Sequence, residues 1–440
     1  MDQEDQLISQ LTATLAADAG NAGAWSTLGA MLRRRGRLEE AIACHRRGVE
    51  LMPWNAGIWT NLGNALLDAH RLQEALEAHD QAVALAPDDV MLRFNRIVAL
   101  RQAGRFHEAL AAMDSALQHE PATPRLLWER ALARLQIGDY VGGLQDYEAR
   151  WQLHADRLPP RRGRSWSGEP LDGKTILLST EQGFGDSLLA ARYVPLVRAR
   201  GGRILFECHA ELRRLLAGLE VEALVAPGSV TDGFDFQAAQ MSLPGLCGTT
   251  AASIPPPVRV TIPEQARAKA ARVLGRAEPG VLRVGIVWSG RTSFADNRRR
   301  ATTLTRFLRF AEVPGVRLYS LQKGPPETEL ASLASGRQLI VPLGEHLEDF
   351  ADTAAFLEQL DLVIMTDSAV AHLAGAMGRP IWNLLQHVPY WIYGSNDDHT
   401  PWYPSMRLFR QSADGTWNSV FTAAADALAV HALSHAGAGA

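Results

Sequence analysis

An acid, a hydroxyl and an imidazole interrupt one of the most apolar stretches of this chain. In "DLVIMTDSAVAHLAGAMGRPIWNLL" (361–385), DLVIM has the pattern of a buried strand, and Asp367 and Ser368 follow where it must end. His372 comes four residues after Ser368, one helical turn on, so both side chains project from one helix face toward any ligand there. Orphan N–H groups and the helix dipole make the start of that helix an anion site. A diphosphate would meet backbone donors, the Ser368 hydroxyl and His372 as an imidazolium. Asp367 has the wrong charge for a phosphate. It is expected to cap the helix or to accept a hydrogen bond from His372 or a sugar hydroxyl. The plainer alternative is capping alone, with His372 a satisfied interior side chain.

A counterpart stands in "TEQGFGDSLLAARY" (180–193). Gly183 and Gly185 permit a tight turn with close backbone approach. Asp186 falls where the following helix should have its N-cap, and its carboxylate could also take a proton from an attacking hydroxyl. Lys323 in "SLQKG" sits at another strand end. Gly290 closes "WSG" (288–290), and the run after it offers Arg298 and Arg300. Lys323 and Arg300 could neutralise phosphate, although a loop arginine run is as often a solvated surface. Trp382, Tyr390 and Trp391 suit core packing first and stacking on a base or sugar second. No Asp-x-Asp pair stands at a strand end, so no metal is expected. Charge on a leaving diphosphate would fall to helix termini, Lys323, arginine and His372.

The elements that must hold these residues alternate strand and helix. After the connector "YEARWQLHADRLPPRRGRSWSGEP" (147–170), strands are predicted at "KTILLST", "RILFEC", "EALVAPG" and "FDFQAAQMSL", with helices at 187–200 and 210–219. A proline-rich break at 249–265 precedes "RVGIVWSG", "VRLYSLQKG", "RQLIVPLG", a helix at 347–360 and the strand–helix–strand of 361–385. This predicts two parallel sheets, at 172–262 and 263–433, each covered on both faces. Residues 153–171 would link them to the first third, and "SHAGAGA" should fray. Open sheets bind ligands at the carboxyl ends of their strands, so two facing sheets would form a cleft. One continuous sheet is the alternative, which Pro255, Pro256 and Pro257 disfavour.

Residues 1–152 repeat. Trp25 recurs as Trp59, Leu28-Gly29 as Leu62-Gly63, Ala41 as Ala75 and Ala109, and Pro53 as Pro87 and Pro121. Gly36 recurs as Gly104 and Gly138, with His70 between, and every step is a multiple of 34. The pattern resembles the tetratricopeptide repeat: two full copies at 22–55 and 56–89, a third (90–123) with Arg93 and Arg96-Ile97 at the signature positions, and a drifted fourth. Residues 4–19 would be the second helix of a leading copy. Stacked helix pairs leave a concave surface suited to peptides or partner proteins. Asn61 and Asn95 are one repeat apart on first helices. In the repeat domain of O-linked GlcNAc transferases, which this resembles, such asparagines line the concave face and bond a peptide main chain. Solvated side chains are the alternative.

The composition excludes several classes. Of 440 residues 47% are apolar and 21% charged, and the net charge is −4, which gives nucleic acid no electrostatic hold. No apolar run reaches bilayer length. The start "MDQEDQ" is acidic where a signal peptide is basic. Cys44, Cys208 and Cys247 have no metal-ligand spacing. A cytoplasmic protein without a cofactor is expected.

Gly185-Asp186-x-x-Leu189 resembles the Gly-Asp motif of bacterial heptosyltransferases, and Asp367-Ser368-x-x-x-His372 is similar to their donor-phosphate motif, with Ala369 in place of a glycine. The four segments at 181–186, 320–324, 367–380 and 401–411 resemble a bacterial group that joins tetratricopeptide repeats to such a domain. Asp397 stands where that group has arginine. The resemblance implies a GT-B fold: a solenoid followed by two Rossmann-like domains facing a cleft. It implies a metal-independent, inverting glycosyltransferase with Asp186 as base. Asp367, Ser368, His372, Lys323, Arg300 and Gly290 would lie at the nucleotide-sugar, and a surface or flagellar protein recruited by the repeats would be the acceptor. Two other readings remain open: an interaction scaffold with a degenerate transferase domain, and a nucleotide-sugar epimerase or hydrolase.

Overall fold

The computed structural model describes residues 3–156, 158, 163–294, 297–334 and 336–438, so part of the predicted 153–171 linker lies outside the described residues. The chain divides into two compact units, Met1–Ala133 with Ser412–Gly415, and Arg134–Gln411 with Thr416–Ala440. The division falls inside the fourth repeat copy. Residues 134–152 thus cluster with the strand-bearing unit.

The first unit is built of helices at Gln3–Ala17, Ala22–Arg34, Leu38–Leu51, Ala56–Asp68, Leu72–Leu85, Val90–Gln102 and Phe106–His119. The 34-residue period sets both their starts and their turns. Asn21, Asn55 and Asp89 cap the first helix of each copy, accepting from Ala24, Ile58, and Met91 and Leu92 backbone N–H groups. The turn between paired helices needs a left-handed residue. Gly36 and Gly104 have φ of +74° and +75°, and His70 adopts +59° at the place between them.

Close approach of paired helices is managed by a trade of volume. A Cβ on Gly29 would come within 2.7 Å of the His45 ring, and one on Gly63 within 2.7 Å of His79. Both imidazoles are fully buried, and among the described residues neither ring nitrogen of either has a hydrogen-bond partner. Burial lowers each from 6.5 to about 4, with the Arg33 charge adding to the effect at His45. Both rings are therefore neutral in the fold. Their contribution is fully present above pH 6.5 and is lost as pH falls toward 4, by about 3 kcal/mol per ring. Thermal unfolding of the repeat unit should shift steeply to lower temperature over that window. His45→Phe with His79→Phe should flatten the shift, which circular dichroism melts at a series of pH values would measure.

The second unit carries two separate sheets, parallel throughout. β1 (Arg164–Ser165), β2 (Thr175–Ser179), β3 (Arg203–Glu207), β4 (Ala223–Val225) and β5 (Phe236–Ala239) form the first, in the order β1-β5-β2-β3-β4. β6 (Leu282–Val287), β7 (Val316–Ser320), β8 (Ile340–Pro342), β9 (Leu362–Thr366), β10 (Ile381–Leu385) and β11 (Met406–Arg410) form the second, in the order β11-β10-β9-β6-β7-β8. The strands β2, β6, β9 and β10 are buried along their whole length, as unbroken apolar runs covered on both faces must be. Val284, Ile286 and Ile364 pack with Trp288, Phe307, Phe310 and Phe421 into the core under the second sheet.

Four local expectations are corrected. The predicted helix 187–200 is two helices, Phe184–Ala191 and Val194–Ala199, because Pro195 has no N–H to continue the first. The predicted helix 210–219 is α-helix only over Ala210–Arg213 and continues as turns, with Leu216 N–H donating to Leu212 O. The edge strand β11 is absent from the predicted elements: Arg407 and Arg410 interrupt an apolar run in which Met406, Leu408 and Phe409 are buried. The C-terminal helix spans Asn418–Ala438, into the segment expected to fray, of which residues 439–440 lie outside the described residues.

Candidate functional site

Each sheet has a point where strand order reverses, between β2 and β5 in the first and between β6 and β9 in the second. Loops leaving the carboxyl ends of such strands splay apart and open a crevice. The residues singled out in the sequence stand on those loops. Asp186, Gly183 and Gly185 follow β2, Gly290 follows β6, and Asp367 and Ser368 follow β9.

The two switch points meet. The helix Phe184–Ala191 lies directly against the helix Ala369–Ala376, and a Cβ on Gly185 would fall 2.7 Å from the His372 ring. Glycine is required at 185 by that approach. A short loop after β10 then bridges the two acids. Tyr390 OH donates to Asp186 Oδ1 at 3.0 Å, and Tyr393 OH donates to Asp367 Oδ1 at 2.8 Å. Arg410 holds this loop by donating to the carbonyls of Tyr393, Gly394 and Asp397.

Several expected roles change in this setting. Asp186 is at the third position of its helix, not at the N-cap, and its Oδ2 accepts from the Gly183 N–H at 3.1 Å. Burial raises its pKa above the ordinary value. The Tyr390 and Gly183 bonds work in the opposite direction, and the Asp367 charge adds to the rise. Asp367 is neither the cap nor a partner of His372: its Oδ2 pairs with Arg300 Nη1 at 3.1 Å. Ser368 is the cap, its Oγ accepting from Val370 N–H. His372 shares a 3.1 Å hydrogen bond with Tyr403 OH, and burial takes it from 6.5 to about 4. It is therefore a neutral imidazole at pH 7, not the expected imidazolium.

The basic residues separate. Arg300 lies at the second switch point, stacked on Phe294 with its guanidinium 4.6 Å from the ring centroid. Lys323 follows β7, exposed, and its Nζ donates to Gly344 O at 2.8 Å. Gly290 N–H donates to Asn297 Oδ1, and Gln322 ties the 288–290 loop to the 320–324 loop by accepting from Trp288 and Ser289 N–H and donating to Ser289 and Lys323 carbonyls. Asn61 donates to Ser26 Oγ of the preceding copy at 3.1 Å, and Asn95 is half-buried on the helix Val90–Gln102. Trp382 packs in the core of the second sheet.

Sequence reasoning missed the support of the Asp186 loop. Arg150 is 1% exposed, and its guanidinium reaches both Glu181 oxygens, Glu148, Ser242 Oγ and Tyr147 O. Tyr147 OH accepts from Gln182 Nε2 at 3.0 Å. Two residues of "EQGFGD" are thus gripped from the connector at 147–150, where no periodic signal marks them. Among the described residues no group of three or more His, Cys, Asp or Glu could hold a metal ion, and no helix is long and apolar enough to cross a membrane.

A tetratricopeptide repeat family model matches residues 60–118 and 97–157, so the helix pairs are tetratricopeptide repeats, a scaffold for binding other proteins. Protein FlbA of Caulobacter vibrioides is 30% identical over 323 residues, covering 68% of this chain and 54% of that protein. The chain therefore spans about half the length of the curated relative it matches. Among solved structures, one of MamA is similar at a TM-score of 0.31 with 20% identity, covering 36% of this chain and 96% of MamA. TTC0263, a tetratricopeptide-repeat protein of Thermus thermophilus, is similar at a TM-score of 0.30 with 20% identity, covering 34% of this chain and 82% of that one.

Removing Arg150 leaves Glu181 buried without its counter-charge. Arg150→Met should destabilise the second unit by about 3–5 kcal/mol, and adding Glu181→Gln should recover part of that loss. Urea unfolding of the two variants and the wild type would measure both effects.

Proposed function

We propose that this chain is a glycosyltransferase of GT-B type, transferring a sugar from a nucleotide-sugar to an acceptor held by the repeats. The observation that carries the reading is the meeting of Asp186 and the Asp367–Arg300 pair at the switch points of two parallel sheets, through Tyr390 and Tyr393. A carboxylate with a raised pKa is suited to take a proton from an attacking hydroxyl. The Arg300 guanidinium and the start of the helix Ala369–Ala376 would meet the leaving diphosphate. Lys323, exposed at the end of β7, would extend that positive lining once a phosphate replaced its carbonyl partner.

In this mechanism Asp186 Oδ1 accepts the proton of the acceptor hydroxyl while that oxygen attacks the anomeric carbon. The bond to the diphosphate breaks, and its electrons and charge pass to the leaving phosphate. Tyr390 keeps the carboxylate oriented. His372, being neutral, serves as a spacer and hydrogen-bond partner of Tyr403. Asn61 and Asn95 would hold the acceptor main chain.

A scaffold without turnover is the second reading. Its support is the direct contact of His372 with Gly185, which brings the two halves together beside the acids.

The readings separate on three measurements. Calorimetry with a panel of nucleoside diphosphates should give binding that Ser368→Ala and Arg300→Ala weaken about tenfold or more. Asp186→Asn should lower donor-dependent transfer by about 10²–10⁴-fold with donor binding kept. The base must be ionised, so rate should rise with pH through the raised Asp186 pKa. Tyr390→Phe, which removes a donor to the carboxylate, should move that limb to higher pH. Absence of nucleotide binding would favour the scaffold.

A further inference from the structure

The third repeat copy departs from the first two where their packing is set. Trp25 and Trp59 each donate through Nε1 to a carbonyl six residues back, Ala19 O at 3.0 Å and Pro53 O at 2.8 Å. One copy further on, the equivalent of Trp59 is Arg93 and that of Leu62 is Arg96. Arg96 turns aside to Asp80, 2.5 Å away. A cavity of about 380 Å³ remains, with apolar walls from Val90, Met91, Phe94, Ala112, Ala116 and Leu126, and Arg93 is among the residues that line it. Val90 and Met91 are 45% and 50% exposed, so the cavity opens to solvent.

Shape and charge together select an occupant. The repeat pattern itself places an indole at this register in the two preceding copies, and the volume accommodates one with room for flanking main chain. Arg125 lies over Phe94, its guanidinium 5.4 Å from the ring centroid. Neither Arg93 nor Arg125 has an ion-pair partner among the described residues. The one carboxylate on the lining, Glu120, accepts a hydrogen bond from Thr123 Oγ1 at 3.1 Å. Basic side chains at the mouth of an apolar hole complement an aromatic side chain with acidic neighbours.

We propose that this cavity is a docking site for a partner polypeptide, which inserts a tryptophan flanked by aspartate or glutamate residues that pair with Arg93 and Arg125. The site stands on the repeat unit alone and does not require sugar transfer. Neither Asn61 nor Asn95 lines it, although Asn95 stands on the same helix as Arg93 and Phe94.

The test is fluorescence anisotropy of labelled acetyl-Glu-Asp-Trp-Asp-Glu-amide titrated with the full chain. Binding should fall at least tenfold when the peptide tryptophan becomes alanine, and again when its acids become lysines. Arg93→Trp sets an indole on the cavity lining in place of the guanidinium, abolishing binding while leaving the melting temperature unchanged or higher. Ala116→Leu fills it from the other helix, and serves should Arg93→Trp fail to fold. Unchanged binding to either folded variant, or equal binding of acidic and basic peptides, overturns the proposal. So does a concentration-dependent dimer that Arg93→Trp abolishes, because the occupant would then be a second copy of this chain.

Discussion

A guanidinium withdrawn from water must find anionic oxygen for its charge and acceptors for its five donors. Arg150 meets that demand with Glu181, Glu148, a serine hydroxyl and a backbone carbonyl, and its guanidinium also faces the rings of Tyr147 and Trp151. Glu181 belongs to the turn after β2, so the pair fixes where that turn begins and, five residues later, where Asp186 points. Ionic anchoring of a loop is sterically exacting, because both partners lose freedom, and here Glu148 shares the guanidinium with Glu181.

The second acid is placed by a different device. Tyr390 and Tyr393 lie three residues apart on one tight turn, and each phenol donates to a carboxylate from a different sheet. Burial and the acids themselves hold both phenols well above their ordinary pKa, so they remain donors throughout the physiological range. The bridge tolerates two carboxylates near one another because each has its own donor, and Asp367 also has the Arg300 guanidinium. It also makes the loop after β10 the common support of residues that the sequence assigned to separate domains.

The periodic and strongly apolar parts of the chain were legible. The 34-residue step gave the repeat because one supersecondary unit must present the same small residues and caps each time it stacks. β2, β6 and β9 showed as apolar runs because parallel strands are covered on both faces. The strand ends therefore marked Asp186, Asp367 and Ser368 without any knowledge of their neighbours. The edge strand β11 was not legible, since Arg407 on one face and Arg410 on the other interrupt its apolar run, although Met406, Leu408 and Phe409 are all buried. The charge state of His372 was not legible either. Four-residue spacing puts it on the face of Ser368, but only the packed Tyr403, Tyr390 and Gly185 around it decide that the ring stays neutral. Arg150 and Tyr393 gave no signal for the same reason: their roles come from contacts across long sequence separations.

The exchange of ring for hydrogen at Gly29 with His45, and at Gly63 with His79, has a genetic corollary. The first two copies obey one volume rule and are interchangeable parts. A tandem duplication or deletion of a 34-residue block between them preserves every close approach inside each pair. The third copy, with Ile97 and Met113 at those places, follows another rule. A recombinant that joins the first helix of the third copy to the second helix of either earlier one sets the Ile97 side chain against an imidazole where only a glycine fits. The solenoid can lengthen at its amino-terminal end far more readily than beside the cavity.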